Sequence, residues 1–114
     1  MNNLQRLKLE LNNKEYFTDE EYTQFLSEND LAYDGEYDKT TNQTNLLYTV
    51  VDVLESVAND VDLMRKIETE FATTSDAVKH LNTRIDKIKE RIHEILEEQD
   101  TEEYSSFSLF FTRG

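Results

Sequence analysis

The sequence has no cysteine, no proline, no tryptophan and only two glycines in 114 residues. Each absence narrows the field. Without cysteine there is no disulfide scaffold, no Cys-ligated zinc site and no thiol nucleophile. Without proline, and with the glycines at 35 and 114, nothing interrupts a long helix between them. Bases are also scarce, 12 against 25 acids, for a formal net charge of −13. Charge of that sign argues against gripping a phosphate backbone, because every contact would oppose like-charge repulsion. No apolar run approaches the roughly 18 residues of a membrane span, and the first residues lack the basic-then-apolar layout of a secretory signal. The expectation is a soluble, cytoplasmic, acidic protein of one domain, whose length allows burial of roughly two thirds of its extended surface.

A chain only 37% hydrophobic at this charge raises the question of disorder. The placement of the apolar residues answers it. Leu47, Val50, Leu54, Val57, Val61 and Met64 follow one another in alternating steps of three and four, one helical face. Leu46, Val51, Val53 and Ala58 widen the stripe, as in a helix surrounded by several neighbours. Val78, Leu81, Ile85, Ile88, Ile92 and Ile95 form a second such stripe, with Arg84, Lys87, Lys89, Glu90, Arg91 and Glu94 on the remaining surface. The spacing predicts a long helix from Leu46 to Phe71 and a second to residue 96. Between them, Thr73, Thr74 and Ser75 offer hydroxyl caps, and Asp76 suits the positive end of the second helix. A break this short predicts an antiparallel hairpin with the stripes as core.

Thr18-Asp19-Glu20-Glu21 is a capping box, with Phe17 and Tyr22 at the positions of a hydrophobic staple. It predicts a helix from Asp19 to Glu28 with Tyr22, Phe25 and Leu26 inward. Ahead of it, Leu4, Leu7 and Leu11 share a face, and Asn12-Asn13 forms a stop. The predicted fold is all-α: four helices, two short N-terminal ones and a long antiparallel hairpin, over residues 1–96. Residues 97–114 read as an acidic hinge followed by an extended C-terminal arm.

Chemistry has few places to reside. His80 and His93 are thirteen residues apart on one predicted helix, about 20 Å along its axis at 1.5 Å per residue, too far to share a metal. Asp30, Asp34, Glu36 and Asp38 surround Gly35, but in a calcium-loop register with Gly35 sixth, Ala32 and Thr41 occupy ligand positions three and twelve. Nucleophile elbows, phosphate-cradling glycine loops and zinc-protease motifs are absent. The reading is a non-enzyme with no metal and no cofactor.

Charge and tail carry more information. Glu15–Asp38 holds nine acids and no base, Arg65–Ile95 seven bases and six acids, and Glu97–Glu103 five acids alone. An acidic surface of this kind complements a basic patch on a partner and speeds association, and in a ring of identical copies it could meet the Lys/Arg face of a neighbour. After the last acidic block, Tyr104, Phe107, Leu109, Phe110 and Phe111 crowd eight positions. Phe107, Leu109 and Phe111 alternate at the strand period, and apolar groups this dense near a chain end mark a binding surface. The expectation is an arm that adds a strand to, or plugs a groove on, another subunit. Tyr104, Phe107, Leu109, Phe110, Phe111 and Arg113 are its contact residues, with Tyr33 and Tyr37 of the acidic loop as further anchors.

Leu4-Gln5-Arg6-Leu7-Lys8-Leu9, Phe17-Thr18-Asp19-Glu20-Glu21-Tyr22-Thr23-Gln24-Phe25-Leu26, the helix from Leu46 to Phe71 and the Thr73-Thr74-Ser75 break with its following helix occur in an order that resembles the small all-α head–tail connector (adaptor) proteins of tailed bacteriophages. The likeness covers about residues 1–96 as a pattern of lengths and apolar positions. It implies a homo-oligomeric ring, commonly of twelve copies, docked under the portal protein in the virion neck after assembly in the host cytoplasm. The next neck protein, a stopper or tail-completion protein, would join it. DNA would pass through the ring without sequence-specific binding, and an acidic lining would let it slide. The family has no catalytic residues to carry over. The rival from another class is an acidic DNA-mimic regulatory or inhibitor protein. A plain helical oligomer serving as a scaffold is a third reading.

Overall fold

The computed structural model describes residues 1–68 and 74–112, with side chains described there except at 61, 66–68, 74–75 and 100–112. Among the described residues there are five helices and no strand: α1 (Asn3–Glu10), α2 (Asp19–Glu28), α3 (Lys39–Ala58), α4 (Val61–Glu68) and α5 (Thr74–Thr112). The only sheet-like pairing among them is an isolated bridge between Asn2 and Glu36. The protein is all-α. None of the described helices is long and apolar enough to cross a membrane.

α2 has the predicted bounds because its cap forms as its residues dictate. Glu21 N–H donates to Thr18 Oγ1 at 3.2 Å, and Thr18 N–H to Glu21 Oε1 at 3.1 Å. Phe17 meets Tyr22 edge-on at 6.2 Å between ring centroids, completing the staple. α1 carries a second box, Asn2 with Gln5, which the sequence reading did not identify. Both short helices close on left-handed residues. At α1, Asn12 adopts φ 57° and Asn13 φ 58°. Asn13 N–H returns to Lys8 O at 2.8 Å, and Asn12 N–H to Leu9 O at 3.0 Å. At α2, Asp30 stands at φ 60°, with Leu31 N–H to Leu26 O at 3.0 Å and Asp30 N–H to Ser27 O at 3.1 Å. These bonds satisfy carbonyls that a helix end leaves open.

One hydrophobic core joins all five helices. Leu7 and Leu11, Tyr22 and Leu26, and the α3 stripe of Leu47, Val50, Leu54 and Val57 are buried, as are Leu81, Ile85, Ile92 and Ile95 of α5. Full burial of one such side chain stabilises by roughly 1.5–3 kcal/mol. α3 and α5 run antiparallel. Lys89 Nζ meets Glu55 Oε1 at 2.9 Å, and the first turns of α3 line one groove with Ile95 and Gln99. α5 continues beyond Gln99 to Thr112, roughly 20 Å further at 1.5 Å per residue. Its 39 residues account for most of the molecule's 62 Å length.

Four sequence expectations are corrected. The predicted long helix from Leu46 to Phe71 is two helices, making five rather than four, because Asp60 starts a new one: Leu63 N–H donates to Asp60 Oδ1 at 3.0 Å. α3 begins at Lys39 rather than Leu46. Asp38 caps it through Thr40 N–H at 3.0 Å, and the polar run from Lys39 to Asn45 has no apolar period to announce it. Val78 is 40% exposed and Ala77 is buried in its place. Residues 77 and 78 stand four and three positions before Leu81, so both steps fit a helical stripe. Finally, the backbone through Thr112 is helical, where an extended arm was expected. Tyr104, Phe107 and Phe111 are also spaced three and four apart, and no proline or glycine intervenes before Gly114, so a short apolar run here fits either period. The hydroxyl cap expected at Thr73 lies outside the described residues; Asp76 falls in the first turn of α5 as predicted.

Candidate interaction surfaces

The acidic loop after α2 is held against the start of α1. Asn3 N–H donates to Gly35 O at 2.9 Å and Leu4 N–H to Tyr33 O at 3.1 Å, so two open N–H groups of α1 are taken up by loop carbonyls. Asn3 Nδ2 adds a bond to Ala32 O at 2.8 Å. The chain must approach closely here: a Cβ on Gly35 would come within 3.3 Å of both Ala32 O and Asn3 Nδ2. The ammonium of Met1 sits 3.0 Å from Glu36 Oε1, and Tyr37 N–H reaches Met1 O at 3.0 Å. Asp30, Asp34, Glu36 and Asp38 thus have local tasks or face water: Asp30 closes α2, Glu36 pairs with the amino terminus and Asp38 caps α3. No group of three or more Asp, Glu or His side chains able to hold a metal occurs among the described residues.

Of the two tyrosine anchors expected in this loop, Tyr33 is 48% exposed. Tyr37 is half-buried, with the Arg6 guanidinium 5.3 Å above its ring. The structure brings both beside α1, one facing solvent and one packed inward. Tyr104, Phe107, Leu109, Phe110 and Phe111 lie on the backbone of α5, but their side chains are outside the described residues, and Arg113 lies outside them altogether. His93 Nε2 is 3.0 Å from Glu97 Oε1, one helical turn on, and well exposed. His80 is exposed as well.

Several polar contacts that organise these surfaces escaped the sequence reading. Tyr22 is 1% exposed, yet its hydroxyl donates to Lys14 O at 2.9 Å and accepts from Tyr16 N–H at 3.1 Å and Phe17 N–H at 3.4 Å. Burial pushes its phenol above the ordinary 10.0, while the bonds from Phe17 and Tyr16 pull the other way. This knot shapes a groove of about 450 Å³ between the end of α1 and the start of α2, lined by Lys8, Lys14, Tyr16 and Phe17 among others. Lys8 is engaged by Asp19 at 2.6 Å. Arg84 of α5 donates to Glu10 O at the end of α1, and Asn29 Nδ2 bridges Phe25 O and Asp52 Oδ2, each at 3.0 Å. Such long-range pairings leave no local signature in a sequence.

On the outer side of the hairpin, Tyr48 is 42% and Leu96 36% exposed. Each lies seven residues from a member of the Glu55–Lys89 pair, on antiparallel helices, which sets them at the same end of the seam. The surfaces present, then, are an acidic loop with one exposed tyrosine, a shallow aromatic groove and a hairpin seam with two exposed apolar side chains. Each is a surface able to bind a partner by complementarity. No family model matches the chain, and no curated protein or solved structure is detectably similar to it.

Proposed function

We propose that the protein is a structural part of a tailed bacteriophage, a head–tail connector that forms a ring under the portal and joins the capsid to the tail neck. The observation that carries this reading is the length of α5: 39 residues, of which the last dozen run past the start of α3 and carry five apolar residues between Tyr104 and Phe111. A helical body with such an extension suits a subunit whose terminal segment docks on another protein. Five apolar residues in eight positions are the composition of a binding segment, and the acidic block at 97–103 keeps the unassembled chain soluble. Acidic surfaces also suit a passage for DNA, which must slide rather than bind.

Deletion of residues 104–114 is the direct test of the arm. Docking on a portal ring is expected to disappear, with far-UV circular dichroism retaining the helical signal of the remaining chain. Docking that survives the deletion contradicts the arm's role.

A further inference from the structure

The apolar stripe of the sequence and the helices of the structure disagree at one place. Leu47, Val50, Leu54, Val57, Val61 and Met64 keep to one helical face, yet α3 ends at Ala58 and α4 starts at Val61. Neither proline nor glycine lies in this stretch. Asn59 remains in the right-handed helical region, φ −91° and ψ −4°, and its N–H still reaches Glu55 O at 3.1 Å. The spiral then tightens, with Asp60 N–H on Val57 O at 3.1 Å. Asp60 Oδ1 takes Leu63 N–H at 3.0 Å, and Asp60 O takes Met64 N–H at 3.0 Å. The cap of a single aspartate divides the two helices.

We infer that α3 and α4 are the halves of a helical switch hinged at Asp60, broken in this state and continuous from Lys39 to Glu68 in a second one. The two states exchange hydrogen bonds rather than simply losing them, against the packing of Met64 and Leu63 that holds α4 in the broken one. A continuous helix keeps the bonds from Asn59 to Glu55 and from Met64 to Asp60. It moves Leu63 N–H from the Asp60 carboxylate to Asn59 O, and Asp60 N–H from Val57 O to Ser56 O. It also gives the N–H groups of Val61 and Asp62 the carbonyls of Val57 and Ala58. The broken state has its cap; the continuous state has fuller backbone pairing and an uninterrupted stripe. Because α4 packs on both α3 and α5, a partner that touches α4 can select between them. This inference does not rest on the connector reading.

The absence of cysteine allows a pair of spin labels at exposed positions, through Thr41→Cys and Arg65→Cys, and pulsed dipolar spectroscopy reads their separation. In a continuous helix the two backbones stand 24 residues apart, about 36 Å along the axis, and any bend at the break shortens this. Asp60→Ala removes the cap and is expected to move the main distance to the long value. Val61→Pro puts proline at the first residue of α4, where its missing N–H is harmless but where a continuous helix cannot accept it. It is expected to hold the short distance alone. A distribution unchanged by Asp60→Ala overturns the inference. Should Asp60→Ala lose helix by circular dichroism, the decision passes to trifluoroethanol titration of the otherwise unsubstituted labelled chain and of Val61→Pro. Growth of the long distance in the first alone supports the hinge, and an identical response in both overturns it.

Discussion

The N-terminal region and the hairpin are held together by different physics. From Met1 to Asp38 the backbone is tied at nearly every turn: two capping boxes, two left-handed closures, a tyrosine hydroxyl with three partners and loop carbonyls seated on the start of α1. From Lys39 onward α3 and α5 hold one another through apolar stripes, with Glu55–Lys89 a polar tie between them. Area-driven packing is tolerant of local conformation, which is why a helix can break at Asp60 while Val57 and Met64 on either side stay buried. Hydrogen-bonded loops are less tolerant, because displacing Tyr22 or Asn3 leaves part-buried partners unsatisfied.

Four substitutions test this contrast, in descending order of effect. Leu54→Ala empties a fully buried position on the α3 stripe and is expected to lower stability by about 2–5 kcal/mol in urea denaturation. Tyr22→Phe keeps the apolar ring and removes only the hydroxyl. Its expected loss, about 1–3 kcal/mol, isolates the ties from the area, and a loss near zero would break the comparison. The same variant carries a pH signature. The folded phenol ionises above 10.0, so its contribution is fully present below that value and is lost as pH rises through the folded one. The unsubstituted protein should therefore lose stability at alkaline pH more steeply than Tyr22→Phe, and a late component of its ultraviolet tyrosine ionisation should disappear in that variant. Lys89 adds an alkaline dependence of the same sign, because the hydrogen bond to Glu55 raises it above 10.5.

Thr18→Ala removes one half of the α2 capping box and is expected to cost about 1 kcal/mol by thermal unfolding. Asp30→Gly runs the other way. The residue stands at φ 60°, where a side chain is strained, and glycine there should raise stability by up to about 1 kcal/mol. A decrease would show that the Asp30 carboxylate has a task beyond closing the helix.

What could be read from the sequence divides along the same line. α2 was legible to the residue because Thr18, Glu21 and the Phe17–Tyr22 staple are short-range signals that name their own geometry. The two stripes were legible as core because six steps of three and four leave little choice of face. The break at Asp60 was not, since periodicity reports which side is buried and is silent on whether the backbone is continuous. The start of α3 hid in a polar run for a related reason: only Asp38 marks it. At the C-terminus, Phe107, Leu109 and Phe111 satisfied a strand period while Tyr104, Phe107 and Phe111 satisfied a helical one, and the sequence alone had no means to choose. For the candidate surfaces, the acidic block and Tyr33 were visible as composition. The contacts from Tyr22, Arg84 and Asn29 became visible only once distant segments met.

The proposed connector role makes a demand on mass that the rival readings do not share. Native mass spectrometry of the purified chain, alone and mixed with a portal ring encoded in the same genome, is its most direct test. The account predicts that the chain joins the portal in one fixed stoichiometry, commensurate with a ring. A chain that leaves the portal unbound, and instead displaces DNA from a basic protein in a salt-sensitive competition, would contradict it.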